Sequence, residues 1–564
     1  MDIELKLERY GATILKYPNI SDVFISVFEN KNGKALCAYI VGNVDIEELK
    51  AFILRKLPIY MLPKYFVIVD EIPLTINGKV NKKLLPKPTI ETNSTFVMPE
   101  NGLEKSLYTV LCELLQTDTI STTDNFFNYY IDSLTIIKAQ TRLLGLGYNI
   151  ETQDFYEYPT IKKLASFIQG KKDRKANNED VCSNIPKICD IQKNIKYSFN
   201  SDNILLIGAT GFLGIHVLYE LLNNTNANIY CLTREKNHTN ILKRLKEKFN
   251  YYFKNDTFEQ YTNRIKPIIG DLSKDKFGID DILYNELGHL ITSVIHTAAI
   301  VKHYGNYKDF YNINVLGTKR SIDFCNEFNI PLDYISTMSV SGYGFCDNID
   351  ATIDETNLYI GQDYKENVYV ETKFQAEELI LNSCKNTNLV ASIYRVGNLT
   401  NRFIDGEFQE NATENAFVNR IASIANLKLI PKDCLDYPIE FTPVDYCAKF
   451  IVKLLNRKPK NLNIYHLFNN NYSSFKDIID TYKDLNINIT TCSTETFVKD
   501  IVSADSTNFG IINYMNNILS DKTIKIDNSK TNKILNEEQN QWPTITKDYL
   551  HKFCNYLYNN DFIA

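Results

Sequence analysis

At 564 residues the chain is too long for one hydrophobic core, so several domains are expected. Its 44% hydrophobic and 23% charged content and net charge of -6 are ordinary globular values, with no basic, aromatic-interleaved patch for nucleic acid. The 12 cysteines include no Cys-x-x-Cys and the 7 histidines no His-Glu-x-x-His, so neither a disulfide framework nor a metal site is indicated.

Dispersed thiols fit a reducing compartment, and MDIELKLERY has no apolar core for a signal peptide, so a cytoplasmic location is expected. Residues 1–92 combine short apolar strands (VFISVF, ALCAYIV, YFVIVD) with one helical segment, IEELKAFILRKL, which predicts a small α+β subdomain. Asn77-Gly78 marks a tight turn, and Pro86 and Pro88 end regular structure before a linker at 91–96.

Residues 98–170 predict a helical bundle from GLEKSLYTVLCELL, SLTIIKAQTRLL and IKKLASFI, each with apolar residues three and four apart. The stretch 171–200 opens with KKDRKANNED, a charged run expected of a flexible joint. Over 201–564, strand candidates NILLIG, ANIYCLT, IKPIIGD, SVIHTAA and LDYISTMSV are separated by longer helical segments. That alternation predicts an α/β, Rossmann-like, doubly wound parallel sheet with a smaller C-terminal substrate-binding region. The apolar run 204–222 reads as strand, turn and amphipathic helix rather than a membrane span.

Three features carry chemistry. GATGFLG sets Gly208, Gly211 and Gly214 after a strand and at a helix start, where backbone can approach a pyrophosphate. The next strand ends in Thr233 and Arg234, and an arginine there can pair with a 2′-phosphate, favouring NADPH; the other reading is a solvated charge beside Glu235. Tyr369 and Lys373 lie four apart on one helix face, where an ammonium favours the phenolate.

With GDL (270–272), HTAAIV (296–301), NVLGT (314–318), STMSV (336–340), YRVGNL (394–399) and FTPVDY (441–446), residues 201–564 resemble the extended short-chain dehydrogenase/reductases. Among these they are most similar to the thioester reductase domains of nonribosomal peptide synthetases. The resemblance implies Thr337, Tyr369 and Lys373 as catalytic residues, with Ser336 and Ser339 as neighbouring alternatives to Thr337. It implies a cofactor site of Gly208, Thr210, Gly211, Phe212, Leu213, Gly214, Arg234, Asp271, Leu272, Ala298, Tyr369 and Lys373.

FFNYYIDSL resembles the attachment motif of peptidyl carrier proteins, with Ser133 implied to bear 4′-phosphopantetheine. Tyr130 and Ile131 stand where the family usually shows glycines, and Ser133 can equally cap a helix. Residues 1–92, through LPIYMLPKYFVIVDEIPLTINGKVNKKLLP, resemble the C-terminal subdomain of adenylation enzymes; Lys79 matches the lysine used there in acyl-adenylate formation. The larger adenylation core has no counterpart in the sequence, so the chain reads as the tail of a longer synthetase.

The implied reaction is NADPH-dependent release of a carrier-bound acyl or peptidyl thioester as an aldehyde, or further reduced to an alcohol. A phosphopantetheinyl transferase and upstream synthetase modules are the implied partners, with no nucleic acid and no membrane. The alternatives are a carboxylic acid or aminoadipate reductase fragment, a cyclising relative without redox chemistry, and a carrier and docking module.

Overall fold

A computed structural model describes residues 14–173 with interruptions, the longest at 54–62, 74–79 and 87–95, and residues 185–563 with interruptions, the longest at 196–201, 343–351 and 498–523. The chain divides into two units, residues 1–175 and 176–564.

In the first unit, β1 (Ile20–Asn30) pairs antiparallel with β2 (Gly33–Gly42), and β2 pairs parallel with β3 (Tyr65–Ile68). Ala38 and Ile40 alternate onto one face and bury against Ile14, Ile25, Leu49 and Ile53. Most of IEELKAFILRKL, the Asn77-Gly78 turn and Lys79 lie outside the described residues.

The helical part comprises α1 (Gly102–Leu115), α2 (Ser133–Gly145), α3 (Thr152–Glu157) and α4 (Ile161–Asp173). Leu103, Leu107 and Leu111 of α1 meet Ile136, Ala139 and Leu143 of α2 and Ile161, Leu164 and Ile168 of α4 in one core. The glutamate of α1's first turn closes its start: Glu104 N donates to Asn101 Oδ1 at 2.8 Å, and Glu100 N donates to Glu104 Oε2 at 2.8 Å. The short α3 is an addition to the three helices expected, seated by Phe155 in the same core.

The second unit is built on a seven-stranded sheet. Its strands are β4 (Asn203–Ile207), β5 (Asn228–Thr233), β6 (Ile265–Ile269), β7 (Ser293–His296), β8 (Leu332–Thr337), β9 (Ala391–Val396) and β10 (Leu462–Leu467). Every pairing is parallel and the order is β10-β9-β8-β7-β4-β5-β6. The winding direction reverses between β4 and β7, which opens a crevice at the strands' C-terminal ends. One face is covered by α5 (Phe212–Asn224) and α6 (His238–Phe253), the other by α7 (Asp281–Leu290), α8 (Leu316–Phe328) and α9 (Val368–Asn386).

The five strands expected from the sequence are present, and β9 and β10 are two it did not single out. The 204–222 run is β4 and α5, and no helix among the described residues is long and apolar enough to cross a membrane. Within the stretch 171–200, read from the sequence as a joint, residues 185–195 pack on the second unit. Ile188 and Ile191 are buried in its core, and Gln192 Nε2 donates to Leu462 O at 3.0 Å.

Three polar residues lie abreast across the buried sheet: Ser336 on β8, Arg395 on β9 and His466 on β10. Arg395 is fully buried and grips Glu377 of α9 through Nε (3.1 Å) and Nη2 (2.8 Å). Ser336 Oγ donates to the same carboxylate at 2.5 Å, and Arg395 Nη1 donates to Asn357 O at 2.8 Å. The Asp527 carbonyl, 2.6 Å from His466 Nδ1, can only accept, so that nitrogen carries the proton and Nε2 accepts from Arg395 Nη1 at 3.1 Å. Burial and the Arg395 charge push His466 down to about 3, which keeps the ring neutral.

Glu377→Gln leaves the Arg395 charge unpaired inside the sheet. Denaturant unfolding should show a loss of about 3–5 kcal/mol for the second unit; a change under about 1 kcal/mol would mean the pair is not anchoring the fold.

Candidate functional site: a nucleotide crevice and a Thr-Tyr-Lys group

The crevice begins where β4 ends. Gly208 has φ +95, and a Cβ there would lie 2.7 Å from Ala298 N and 2.6 Å from Thr297 Oγ1. A Cβ on Gly214 would lie 2.0 Å from Gly208 O, so the first turn of α5 can cross the loop only without a side chain. Gly211 is the N-cap of α5 and supplies no side-chain cap, which leaves the first amides and the positive end of the helix for an anion. Thr210, Phe212 and Leu213 complete this loop and helix start.

Thr233 closes β5 with its Oγ1 buried and unpartnered. The adjacent Arg234 is exposed, while Glu235 pairs with Arg244 of α6 at 3.4 Å. An orphaned hydroxyl beside an exposed guanidinium fits a phosphorylated ribose. Across the crevice, burial raises the Asp271 carboxyl, but bonds from Ser273 N (2.9 Å) and Oγ (2.7 Å) and the Arg234 charge outweigh it and hold the group below its ordinary range. Both Ser273 bonds go to Oδ1. Leu272 is buried over Gly317 of α8, where a Cβ would lie 2.8 Å from the leucine Cγ.

β7 delivers Ala298. Buried His296 bonds Ala298 O through Nε2 at 3.0 Å and Ser321 Oγ through Nδ1 at 2.9 Å, and desolvation pushes the ring down to about 3, so it is neutral. Asn314, in a π-helical turn (Tyr311–Val315), accepts from Ile300 N at 2.8 Å and donates to Ile300 O at 3.0 Å and Thr372 Oγ1 at 3.1 Å. This side chain ties the loop after Ala298 to α9. Sequence reasoning gave His296 and Asn314 no role, although both lie inside the quoted motifs HTAAIV and NVLGT.

β8 ends at Thr337, whose Oγ1 caps the following 3-10 turn by accepting from Ser339 N at 3.1 Å. The same hydroxyl bonds Ser339 Oγ at 3.1 Å. Strand alternation sends Ser336 the other way, to Glu377, so Thr337 and Ser339 are the hydroxyls at the strand's C-terminal edge. Asn367 starts α9 by accepting from Tyr369 N at 2.8 Å. Tyr369 is partly buried and close enough to Tyr334 for a charge on one to raise the other.

One turn on, buried Lys373 donates to Tyr334 OH at 2.8 Å and Ile335 O at 2.6 Å. Desolvation brings its ammonium down to about 7, against the upward pull of Glu377. The structure thus gathers the glycines, Ala298, Thr337, Tyr369 and Lys373 along one sheet edge, with Arg234, Asp271 and Leu272 at its β5–β6 end.

A Rossmann-type nucleotide crevice with a Thr-Tyr-Lys group defines a short-chain-type reductase domain, and the rest of the chain says which. Family models match at residues 206–451 (Male sterility protein, an NAD-binding model), 105–168 (Phosphopantetheine attachment site) and 12–79 (AMP-binding enzyme C-terminal domain). A thiolation-reductase di-domain from an archaeal non-ribosomal peptide synthetase superposes with a TM-score of 0.70 at 30% identity, covering 83% of this chain and 100% of that one. The chain belongs to the nonribosomal peptide synthetase family, with carrier and reductase domains and an adenylation C-terminal segment.

A linear gramicidin synthase of Brevibacillus parabrevis is 26% identical over 98% of this chain, and the L-2-aminoadipate reductase of Candida glabrata, in its large subunit, 26% identical over 83%. The chain spans 11% and 37% of their lengths.

The carrier helix α2 begins at Ser133, the serine of the attachment motif. The Ser133 side chain, Tyr130 and Asp132 lie outside the described residues.

Two outcomes test this geometry. Gly214→Ala should weaken NADPH binding at least about tenfold in a fluorescence titration, because the added carbon lands on the Gly208 carbonyl. Lys373, lowered in the folded state, binds its proton more weakly there than in the unfolded chain, whose lysine titrates near 10.5. Between pH 7 and 9, the unfolding free energy of the cofactor-free protein minus that of Lys373→Met should therefore rise, by at most about 1.4 kcal/mol per pH unit. A flat difference would place Lys373 in water.

Proposed function

We propose that the chain releases an acyl or peptidyl group from the phosphopantetheine arm on Ser133 by reduction of its thioester at the Thr337–Tyr369–Lys373 site, giving an aldehyde. The observation that supports this reading is a carrier domain and a nucleotide crevice on one chain, with Thr337 ending β8 and Lys373, one turn after Tyr369, bonded to β8 from α9. Residues 98–170 serve as the carrier domain and 201–564 as the reductase, with 185–195 packed onto it. Residues 1–92 are the C-terminal subdomain of an adenylation enzyme, with Lys79 the lysine it uses in acyl-adenylate formation. The partners are a phosphopantetheinyl transferase, which loads Ser133, and upstream synthetase modules, which supply the acyl group.

The cofactor, when bound, supplies a hydride to the thioester carbonyl. Gly208, Gly211 and Gly214 admit its pyrophosphate to the start of α5, and Thr233 and Arg234 hold a 2′-phosphate, which selects NADPH. Asp271 and Leu272 bound the adenine end, and Ala298 forms the wall of the crevice. Thr337 and Tyr369 donate hydrogen bonds to the carbonyl oxygen as charge builds on it. Tyr369 gives up its proton to that oxygen, and the Lys373 ammonium stabilises the phenolate left behind and holds the ribose. The resulting hemithioacetal collapses: its carbon–sulfur bond breaks, the arm leaves as a thiol, and the aldehyde departs. A second reduction at the same site gives the alcohol.

Identity to the aminoadipate reductase supports a second reading, in which the reductase step is the same and a free carboxylic acid is loaded on the carrier. Loading Ser133 in turn with carboxylic acyl and peptidyl pantetheine groups and comparing the rates at which each product appears by mass spectrometry separates the two by the acyl group preferred.

Tyr369→Phe should slow release at least about 100-fold. Arg234→Ala should raise KM for NADPH about tenfold or more and leave KM for NADH unchanged. Aldehyde release at the normal rate from Tyr369→Phe would contradict the assignment.

A further inference from the structure

Past the last residues of β9, the chain turns at Gly397 and Asn398 over the C-terminal edge of the sheet. Glu440 lies against this turn. Its Oε2 accepts from Asn398 N at 2.6 Å, and a Cβ on Gly397 would lie 2.6 Å from Glu440 Oε1 and 2.6 Å from Phe468 Cβ. Oε1 takes a hydrogen bond from the Thr442 hydroxyl. Thr442 Oγ1 in turn accepts from Asn469 N at 3.0 Å, so its one proton is committed to Glu440. The Asn398 side chain adds a further bond that, like these two, favours the charged form, so the contacts on the carboxylate suit an anion.

Among the described residues no cation answers that anion. Glu440 forms no ion pair with any described residue, and its charge raises Cys447, Tyr472 and Tyr549, all uncharged near neutral pH. Largely withdrawn from water but still partly exposed, the carboxylate carries an uncompensated charge that a ligand can reach. Burial lifts its carboxyl to about 7 against the Thr442 and Asn398 hydrogen bonds, and a neighbouring cation would draw it back down. The position adds direction. Val396 pairs with Thr337, so Gly397 sits one strand, about 4.8 Å, outward from the catalytic edge of β8.

We propose that Glu440 holds an ammonium on the acyl group beside the reacting carbonyl, so that the thioester reduced here is an aminoacyl one with its amine free rather than N-acylated. This rests on the reductive reading above. A purely structural role, bracing the Gly397 turn against Thr442, would give no preference between acyl groups.

The test compares the pantetheine thioester of one amino acid with its N-acetyl form, following NADPH oxidation by the whole chain and by Glu440→Gln and Glu440→Asp. The ratio of kcat/KM values, free amine over N-acetyl, cancels any partial loss of folded enzyme. It should be about tenfold or more for the unaltered chain, fall to about one in Glu440→Gln, and be partly kept in Glu440→Asp. A ratio near one in the unaltered chain, or a ratio that survives Glu440→Gln, overturns this inference while the reductive reading stands. Turnover of neither thioester overturns both.

Discussion

The grip of Arg395 on Glu377 fixes the working end of this molecule. A guanidinium and a carboxylate, both withdrawn from water, tolerate burial only in a geometry that satisfies them together, and here that geometry spans three strands and a helix. Glu377 lies four residues after Lys373 and eight after Tyr369 on α9, so anchoring one turn of that helix sets the facing of the two before it. Ser336, bonded to the same carboxylate, fixes which way β8 presents its next residue, Thr337. The pair also reaches outward: through His466 it ties β10 to the segment at Asp527.

From that anchor the sheet edge works as an ordered bench. β5 and β6 bring Thr233, Arg234 and Asp271, β4 the glycine turn, β7 Ala298 and β8 Thr337, with Glu440 over β9 and β10. Adjacent strands are about 4.8 Å apart, so under the proposed function an extended dinucleotide and its substrate would lie along the edge in that order. The electrostatics change along the bench. Arg234, at the β5 end, is exposed, whereas the end at α9 and β9 is drier, and there Lys373 is brought down and Glu440 up toward neutrality.

Much of this was legible in the sequence because it rests on local patterns. GATGFLG after an apolar run announces a strand, a tight turn and a helix start, and Gly208 and Gly214 stand there against Ala298 and the Gly208 carbonyl at distances no side chain could share. The strands β9 and β10 were harder to see. ASIYRV and LNIYHL are interrupted by Arg395 and His466, whose burial makes sense only once Glu377 and the Asp527 carbonyl are in place. Ser336, Thr337 and Ser339 could not be ranked from their order alone; strand alternation and a distant glutamate removed Ser336. Glu235, beside Arg234, pairs with Arg244, nine residues away on a different element. Helical spacing sets Lys373 beside Tyr369, yet its ammonium bonds Tyr334, a contact reached only through tertiary packing.

Under the proposed function the substrate is held on the same chain, and its high effective concentration would make a modest acyl pocket sufficient. The most direct measurement is a single turnover with an acyl group loaded on the arm at Ser133, alongside Ser133→Ala supplied with the same group as a free pantetheine thioester. The account predicts one NADPH oxidised per loaded chain for an aldehyde product or two for an alcohol, one arm thiol freed in either case, no release from the Ser133→Ala carrier, and slower but real reduction of the free thioester by that variant. A loaded chain that frees its acyl group with no NADPH consumed would contradict it.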